Sequence, residues 1–265
     1  MTSNKSLLIV TDLDASLLEE DYSYTAALPA IEALKALECP IVLNSSKTLA
    51  ELKQLSLELE LDSPVIGENG GHVFFPDPEP HTAIQGLARV DILKYAHELR
   101  AKKGYRFEGF TDWSVEEIAE HTGLRLSDAQ LASERFITEP ILWNDTSERW
   151  EVFLSEMEEI GARALLGGRF IHLMGKADKA QGLKTVQQFY CEKYPHTEWM
   201  TVALGDSPND QQMLDAADIA VVIPHAGGRR IEATLAARTI FAKELASKGW
   251  NEAIFQILHQ EKLKS

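Results

Sequence analysis

The stretch Leu7-Leu8-Ile9-Val10-Thr11-Asp12-Leu13-Asp14-Ala15-Ser16 decides how the rest of the chain is read. An apolar run leads straight into two aspartates spaced two apart. Alternate residues of an extended backbone point the same way, so the carboxylates of Asp12 and Asp14 can face one ligand. Two like charges that close repel each other unless a divalent cation or a shared proton relieves them. A hard cation such as Mg2+ takes oxygen ligands, usually one or two carboxylates together with substrate phosphate. Taken alone, the same residues also describe a strand followed by an acidic turn.

Two further segments have the same form. Ile41-Val42-Leu43-Asn44-Ser45-Ser46-Lys47 is an apolar strand ending in hydroxyls, and Thr201-Val202-Ala203-Leu204-Gly205-Asp206-Ser207-Pro208-Asn209-Asp210 is one ending in carboxylates. In open parallel α/β sheets ligands bind beyond the carboxyl ends of the strands, so the three segments converge on one crevice. Gly175-Lys176-Ala177-Asp178-Lys179-Ala180 adds a cation where a helix pattern opens, with Asp178 as its cap. Lys179 is the favoured site lysine and Lys176, in a glycine-flanked loop, the alternative. Ser207 followed by Pro208 reads as a helix start.

Strand and helix patterns alternate from residue 7 to about 75. Leu28, Ile31, Leu34 and Leu37 share one helical stripe, and Thr48 with Glu51 has capping-box spacing before a second one. This alternation predicts right-handed βαβ units and a parallel sheet. Pro76-Asp77-Pro78-Glu79-Pro80 breaks the rhythm and reads as a boundary. Beyond it Ser114 with Glu117 and Ser127 with Gln130 again have capping-box spacing. Tyr105-Arg106-Phe107, Ile141-Leu142-Trp143 and two runs flanking Gly167-Gly168 read as strands. The expected fold is α/β, a Rossmann-like parallel-sheet core (1–80 and 175–265) with an inserted α+β cap (81–174).

A chain of 265 residues suits a core domain plus a smaller one. The formal charge of −15 argues against nonspecific nucleic-acid binding, which needs a basic footprint. It also opposes an anionic substrate, unless a bound cation and a few Lys or Arg residues invert the sign locally. Only two cysteines occur, Cys39 and Cys191, which implies no disulfide framework and suits a reducing cytoplasm. No apolar run reaches the roughly 18 residues of a membrane span, and the first strand follows the N-terminus too closely for a signal peptide. A membrane partner is therefore not expected, and the sequence is silent on oligomeric state.

The set of motifs resembles the haloacid dehalogenase-like phosphatase superfamily over nearly the whole chain. The resemblance rests on Asp12-Leu13-Asp14, Ser45, Lys179 and Gly205-Asp206 through Asn209-Asp210. Within that superfamily the chain is most similar to the mannosyl-3-phosphoglycerate phosphatases, through Val42 to Thr48, Glu68-Asn69-Gly70-Gly71, Ile141 to Asp145 and Gly168-Arg169-Phe170-Ile171-His172. The resemblance implies a Mg2+-dependent phosphatase of a small phosphorylated sugar acid. Asp12 is then the nucleophile and Asp14 the general acid and base. The metal is held by Asp12, Asp14 (through its backbone carbonyl) and Asp206, with Asn209 and Asp210 behind them.

Ser45, the Ser46 backbone and Lys179 hold phosphate in this reading. Arg169, or else Arg135, is expected to bind the glycerate carboxylate, because a planar bidentate donor matches it. Asn69 is expected to reach a sugar hydroxyl. His172, Trp113 and Trp143 read as structural residues of the cap. Where the family carries Gly-Thr this chain has Ala15-Ser16; alanine restricts the backbone only if the position needs positive φ. A broader sugar phosphatase, a phosphomutase and a non-catalytic phospho-aspartate switch are the alternatives, and the second carboxylate, Asp14, speaks against the switch.

Overall fold

The computed structural model describes residues 4–167, 169–228 and 230–262, so Gly168 of the expected glycine pair lies outside the described residues. The first part of the core holds β1 (Asn4–Thr11), α1 (Leu28–Ala36), β2 (Ile41–Asn44), α2 (Leu49–Glu58), β3 (Val65–Gly67), β4 (His72–Phe75) and β5 (His81–Ile84). The cap follows with α3 (Arg89–Lys103), β6 (Phe107–Gly109), α4 (Val115–Thr122), α5 (Leu126–Ser133), β7 (Glu139–Trp143), α6 (Ser147–Glu158), β8 (Arg163–Leu166) and β9 (Ile171–Met174). The core resumes with α7 (Lys179–Lys193), β10 (Thr197–Gly205), α8 (Gln211–Ala216), β11 (Ile219–Val222), β12 (Arg238–Phe241) and α9 (Ala246–Gln260).

The core sheet runs β12-β11-β10-β1-β2-β3-β4-β5. Its first six strands are parallel, β4 turns back antiparallel to β3, and β5 is antiparallel to β4. Residues of β1 alternate between two apolar layers, because successive side chains of a strand leave opposite faces. Leu7 and Ile9 pack with Ile31 and Leu34 of α1 and with Trp250 and Ile254 of α9. Leu8 and Val10 pack with Leu183 and Val186 of α7 and with Met213 and Leu214 of α8. Each fully buried aliphatic side chain of this kind contributes roughly 1.5–3 kcal/mol. Trp250 is wholly buried, and its indole N–H donates to Thr11 Oγ1 at 3.0 Å, pinning α9 under the end of β1.

The cap is an antiparallel sheet of order β6-β7-β9-β8 with its own aromatic core. Trp143 packs there among Phe107, Trp150 and Phe153, and Trp113 packs against Phe110, His121 and Phe170. Both tryptophans are partly buried and pack against the cap's apolar clusters.

Three boundaries differ from the sequence reading. Pro76 to Pro80 forms the turn between β4 and β5, and β5 pairs with the core sheet, so the first core segment runs through residue 84 rather than 80. Prolines lack the N–H that a ladder needs, but a hairpin turn does not require it. The capping box expected at Ser127 is absent: α5 starts at Leu126 after Arg125, whose guanidinium binds Asp128 at 2.8 Å. Of Tyr105-Arg106-Phe107, only Phe107 enters a strand. The capping boxes at Thr48 and Ser114 and the Asp178 cap all form.

Candidate active site

Asp12 follows the face of Leu8 and Val10 on β1, which puts it on the side of the sheet where α7 begins. Lys179, the first residue of α7, is buried with its ammonium 2.5 Å from Asp12 Oδ1 and 2.6 Å from Asp210 Oδ1. Two glycines make this arrangement possible. A Cβ on Gly70 (φ +92°) would lie 1.9 Å from the Asp178 carbonyl oxygen, so only glycine lets the loop after β3 meet the start of α7. A Cβ on Gly205 would lie 2.5 Å from that of Asp210, so glycine there lets Asp210 tuck under the end of β10. Asn44, at the end of β2, donates to the Lys179 carbonyl at 2.9 Å and fixes α7 from the other side.

Carboxylate oxygens of Asp12, Asp206 and Asp210 lie within 4.8 Å of one another, all buried. Burial raises the Asp12 carboxyl well above its usual range, and the charge of Asp210 adds to this, with Lys179 opposing. Asp206 is pushed up to about 6 by burial and again by Asp210. Burial also works against the Lys179 charge, but Asp12 and Asp210 outweigh it and hold the ammonium protonated. Three carboxylates against one ammonium leave a buried negative excess, and an all-oxygen donor set of that charge fits a hard divalent cation.

The three carboxylates are not equivalent. Asp210 Oδ1 is bound by Lys179, and its Oδ2 accepts from the N–H groups of Asp206 and Ser207 at 3.2 and 3.1 Å. Asp210 therefore orients the loop and the lysine, while Asp12 and Asp206 line the cleft. Asp14 stands outside this cluster, half exposed, with Oδ1 3.3 Å from Lys47 Nζ. Ser46 lines the cleft, whereas Ser45 is buried beneath it and its Oγ accepts the Lys47 N–H. Lys176 is exposed. Ala15 has φ +59°, so the position does require the left-handed region. An alanine there costs roughly 1–2 kcal/mol.

Above the cluster lies a cleft of about 540 Å³ between core and cap. From the core it is lined by Asp12, Asp14, Asn69, Asp206, Asn209, His225 and Arg230, and from the cap by Leu165, Leu166, Gly167 and His172. Asn69 is buried, and neither of its side-chain polar atoms has a hydrogen-bond partner. Burial, followed by the charge of Arg135, lowers His172 to about 3, so the cap presents a neutral ring to the cleft.

Neither arginine expected to bind carboxylate reaches this cleft. Arg169 is exposed and donates to the His121 carbonyl within the cap. Arg135 spends its guanidinium on the carbonyls of Ala132 and Ser46 and on Thr138 Oγ1, stacked over Phe110. It ties the cap to the loop after β2 instead.

Sequence reasoning also missed the neighbour of Arg135. Glu68 is fully buried at the end of β3, and Oε1 accepts the Phe136 N–H at 2.9 Å. Oε2 accepts the N–H groups of Ile137 and Thr138 and the Thr138 hydroxyl at 2.7–2.9 Å. One core carboxylate thus clamps the cap segment 136–138. Burial alone would raise Glu68, but the His72 ring, the Arg135 charge and these backbone donors outweigh it and bring it to about 2. The available signal was a glutamate placed between a buried strand and the Asn69-Gly70-Gly71 turn.

Residues 9–236 match the family of haloacid dehalogenase-like hydrolases. The chain belongs to that family. A Persephonella marina protein named glucosyl-3-phosphoglycerate/mannosyl-3-phosphoglycerate phosphatase is 37% identical to this hydrolase over 272 residues, covering 96% of this chain and 98% of its own. A Methanococcoides burtonii protein of the same name is 32% identical over 267 residues, covering 95% and 97%. A solved structure from Thermoplasma acidophilum is 19% identical with a TM-score of 0.68, covering 98% of this hydrolase and 99% of its own chain, which shows a shared fold. Among the described residues no helix is long and apolar enough to cross a membrane.

Proposed function

We propose that this hydrolase removes phosphate from a glycosyl-3-phosphoglycerate, with Mg2+ as cofactor, and releases the glycosylglycerate. The chain is a phosphoric monoester hydrolase. The observation that carries the reading is Asp12, buried against Lys179 and Asp206 at the floor of a cleft whose roof is the cap. The names and the 37% and 32% identities of the two relatives support the substrate class.

In the proposed reaction an Asp12 oxygen attacks phosphorus and the bond from phosphorus to the glycerate C3 oxygen breaks. Asp14 gives its proton to that departing oxygen. A water then attacks phosphorus of the aspartyl-phosphate, Asp14 takes the water's proton, and phosphate leaves with Asp12 restored. Lys179 and the Ser45 and Ser46 region hold the non-bridging oxygens, with Lys47 keeping Asp14 oriented. Asp12, Asp206 and the Asp14 carbonyl would hold Mg2+, with Asn209 and Asp210 behind them; when bound, it offsets the charge of the phosphoryl group. Asn69 and His172 face the sugar.

The test is a panel of phosphorylated metabolites at one concentration, including glucosyl- and mannosyl-3-phosphoglycerate, glucose 6-phosphate and p-nitrophenyl phosphate. The glycosylated phosphoglycerates should give the highest kcat/KM. A preference of tenfold or more for a simple hexose phosphate would replace this reading with that of a general sugar phosphatase.

A further inference from the structure

With Arg169 and Arg135 otherwise engaged, the cleft still needs a cation for a substrate carboxylate. We infer that Arg230, on the loop between β11 and β12, reads the carboxylate of the substrate, so acid specificity is built into the core rather than the cap. The inference rests on the proposed substrate class and assigns one of its groups to a residue.

The covalent structure of the substrate sets the distance. 3-Phosphoglycerate has its carboxylate on C1 and its phosphate on C3, which leaves C2 for the sugar. The carboxylate carbon is therefore three bonds from the ester oxygen, at most about 4 Å at single-bond lengths near 1.5 Å. A group that reads it must stand beside the phosphate site, at the mouth of the core. The sugar on C2 is the part with the reach to meet the cap.

Arg230 stands in that place. It lines the cleft together with His225, Asp206 and Ala15. His225, on the same loop, lies with Nε2 3.9 Å from Asp206 Oδ2 and has an unpartnered Nδ1. Among the described residues Arg230 is the only arginine lining this cleft, and it has no hydrogen bond or ion pair of its own. The nearest competitor, Arg163, lines an adjoining pocket, and its guanidinium is committed to the Gly175 and Ala177 carbonyls at 3.2 and 2.8 Å. A planar guanidinium with five donors matches a carboxylate in two-point contact.

The experiment compares the wild-type full-length chain with Arg230→Ala and Arg230→Lys at saturating Mg2+. The substrates are glucosyl-3-phosphoglycerate and glucosylglycerol 3-phosphate, the matched compound in which CH2OH replaces the carboxylate. Wild type should prefer the acid. Arg230→Ala should lose about 10- to 150-fold in kcat/KM on the acid, mostly through KM, and less than about threefold on the alcohol. Arg230→Lys should recover part of the loss. The exposed, unpartnered side chain leaves Tm within about 2 °C of wild type. An Arg230→Ala enzyme that still prefers the acid, or that loses equally on both compounds, overturns the assignment and leaves the substrate reading standing. A wild type that hydrolyses p-nitrophenyl phosphate but shows no preference for the acid overturns both.

Discussion

Replacing Glu68 with glutamine tests the idea that one core carboxylate holds the cap in place. Its two oxygens accept four hydrogen bonds from residues 136–138, and the amide keeps a single acceptor. With its oxygen turned toward Ile137 and Thr138, the amide N–H2 faces the Phe136 N–H, donor against donor. A lost bond to a charged group costs roughly 1.5–3 kcal/mol and the stranded donor adds to it, so Glu68→Gln should destabilise by about 2–4 kcal/mol. Against the burial that raises it, the acidity of the group reflects the same donors together with His72 and Arg135. A carboxyl brought from 4.5 to about 2 on folding contributes about 3 kcal/mol above its unfolded range. Because the folded value is the lower one, this stability is fully present above about pH 4.5 and is lost as pH falls toward 2. Urea unfolding of wild type and variant from pH 2.5 to 7 should therefore show a gap that is constant above pH 5 and narrows below 4.5. A gap under about 0.5 kcal/mol at pH 7, or one equally wide at pH 2.5 and 7, would refute the clamp.

Three further outcomes are expected. Asp12→Asn should lower kcat at least about a thousandfold with an unchanged circular-dichroism spectrum, since an amide cannot form the acyl-phosphate; residual activity within tenfold of wild type would move the nucleophile elsewhere. EDTA should abolish turnover and Mg2+ restore it, with Asp206→Ala needing at least tenfold more Mg2+; full activity in metal-free buffer would end the cation reading. Ala15→Gly should raise stability by up to about 1 kcal/mol, because relief of the left-handed alanine exceeds the entropy lost by glycine, and a loss of stability in denaturant titration would show that φ +59° is not strained here.

The parts of the core and site legible in sequence were those written in short, local patterns. Apolar strands ending in Asp12, Ser45 and Asp206 declared the parallel sheet and the end at which these residues gather. The caps at Thr48, Ser114 and Asp178 are local pairs three residues apart, although the same spacing at Ser127 forms none because α5 already starts at Leu126. The arginines were illegible for the opposite reason. A guanidinium is satisfied by whatever carbonyl or carboxylate folding brings near, so Arg135 beside Ser46, Arg163 beside Gly175 and Arg230 beside Asp206 depend on contacts across the sequence. Glu68 was hidden likewise, since its partners lie 68–70 residues away. The proline-rich turn misled because prolines mark the end of a strand without saying whether the chain leaves the sheet or returns to it.

The position of β1 between β2 and β10 bears on how the protein is made. Asp12 leaves the ribosome well before Lys179, Asp206 and Asp210, which are translated only after the entire cap. At roughly 5–20 residues per second, β1 waits roughly 10–40 s for β10 to reach it. During that wait an apolar strand bears one open edge, the kind of surface that invites pairing with another nascent chain. Trp250 comes later still, and its indole closes on Thr11 beside Asp12. The carboxylate and ammonium cluster thus assembles only after α7 and β10 have been made, and chains that stall before them carry Asp12 without its partners.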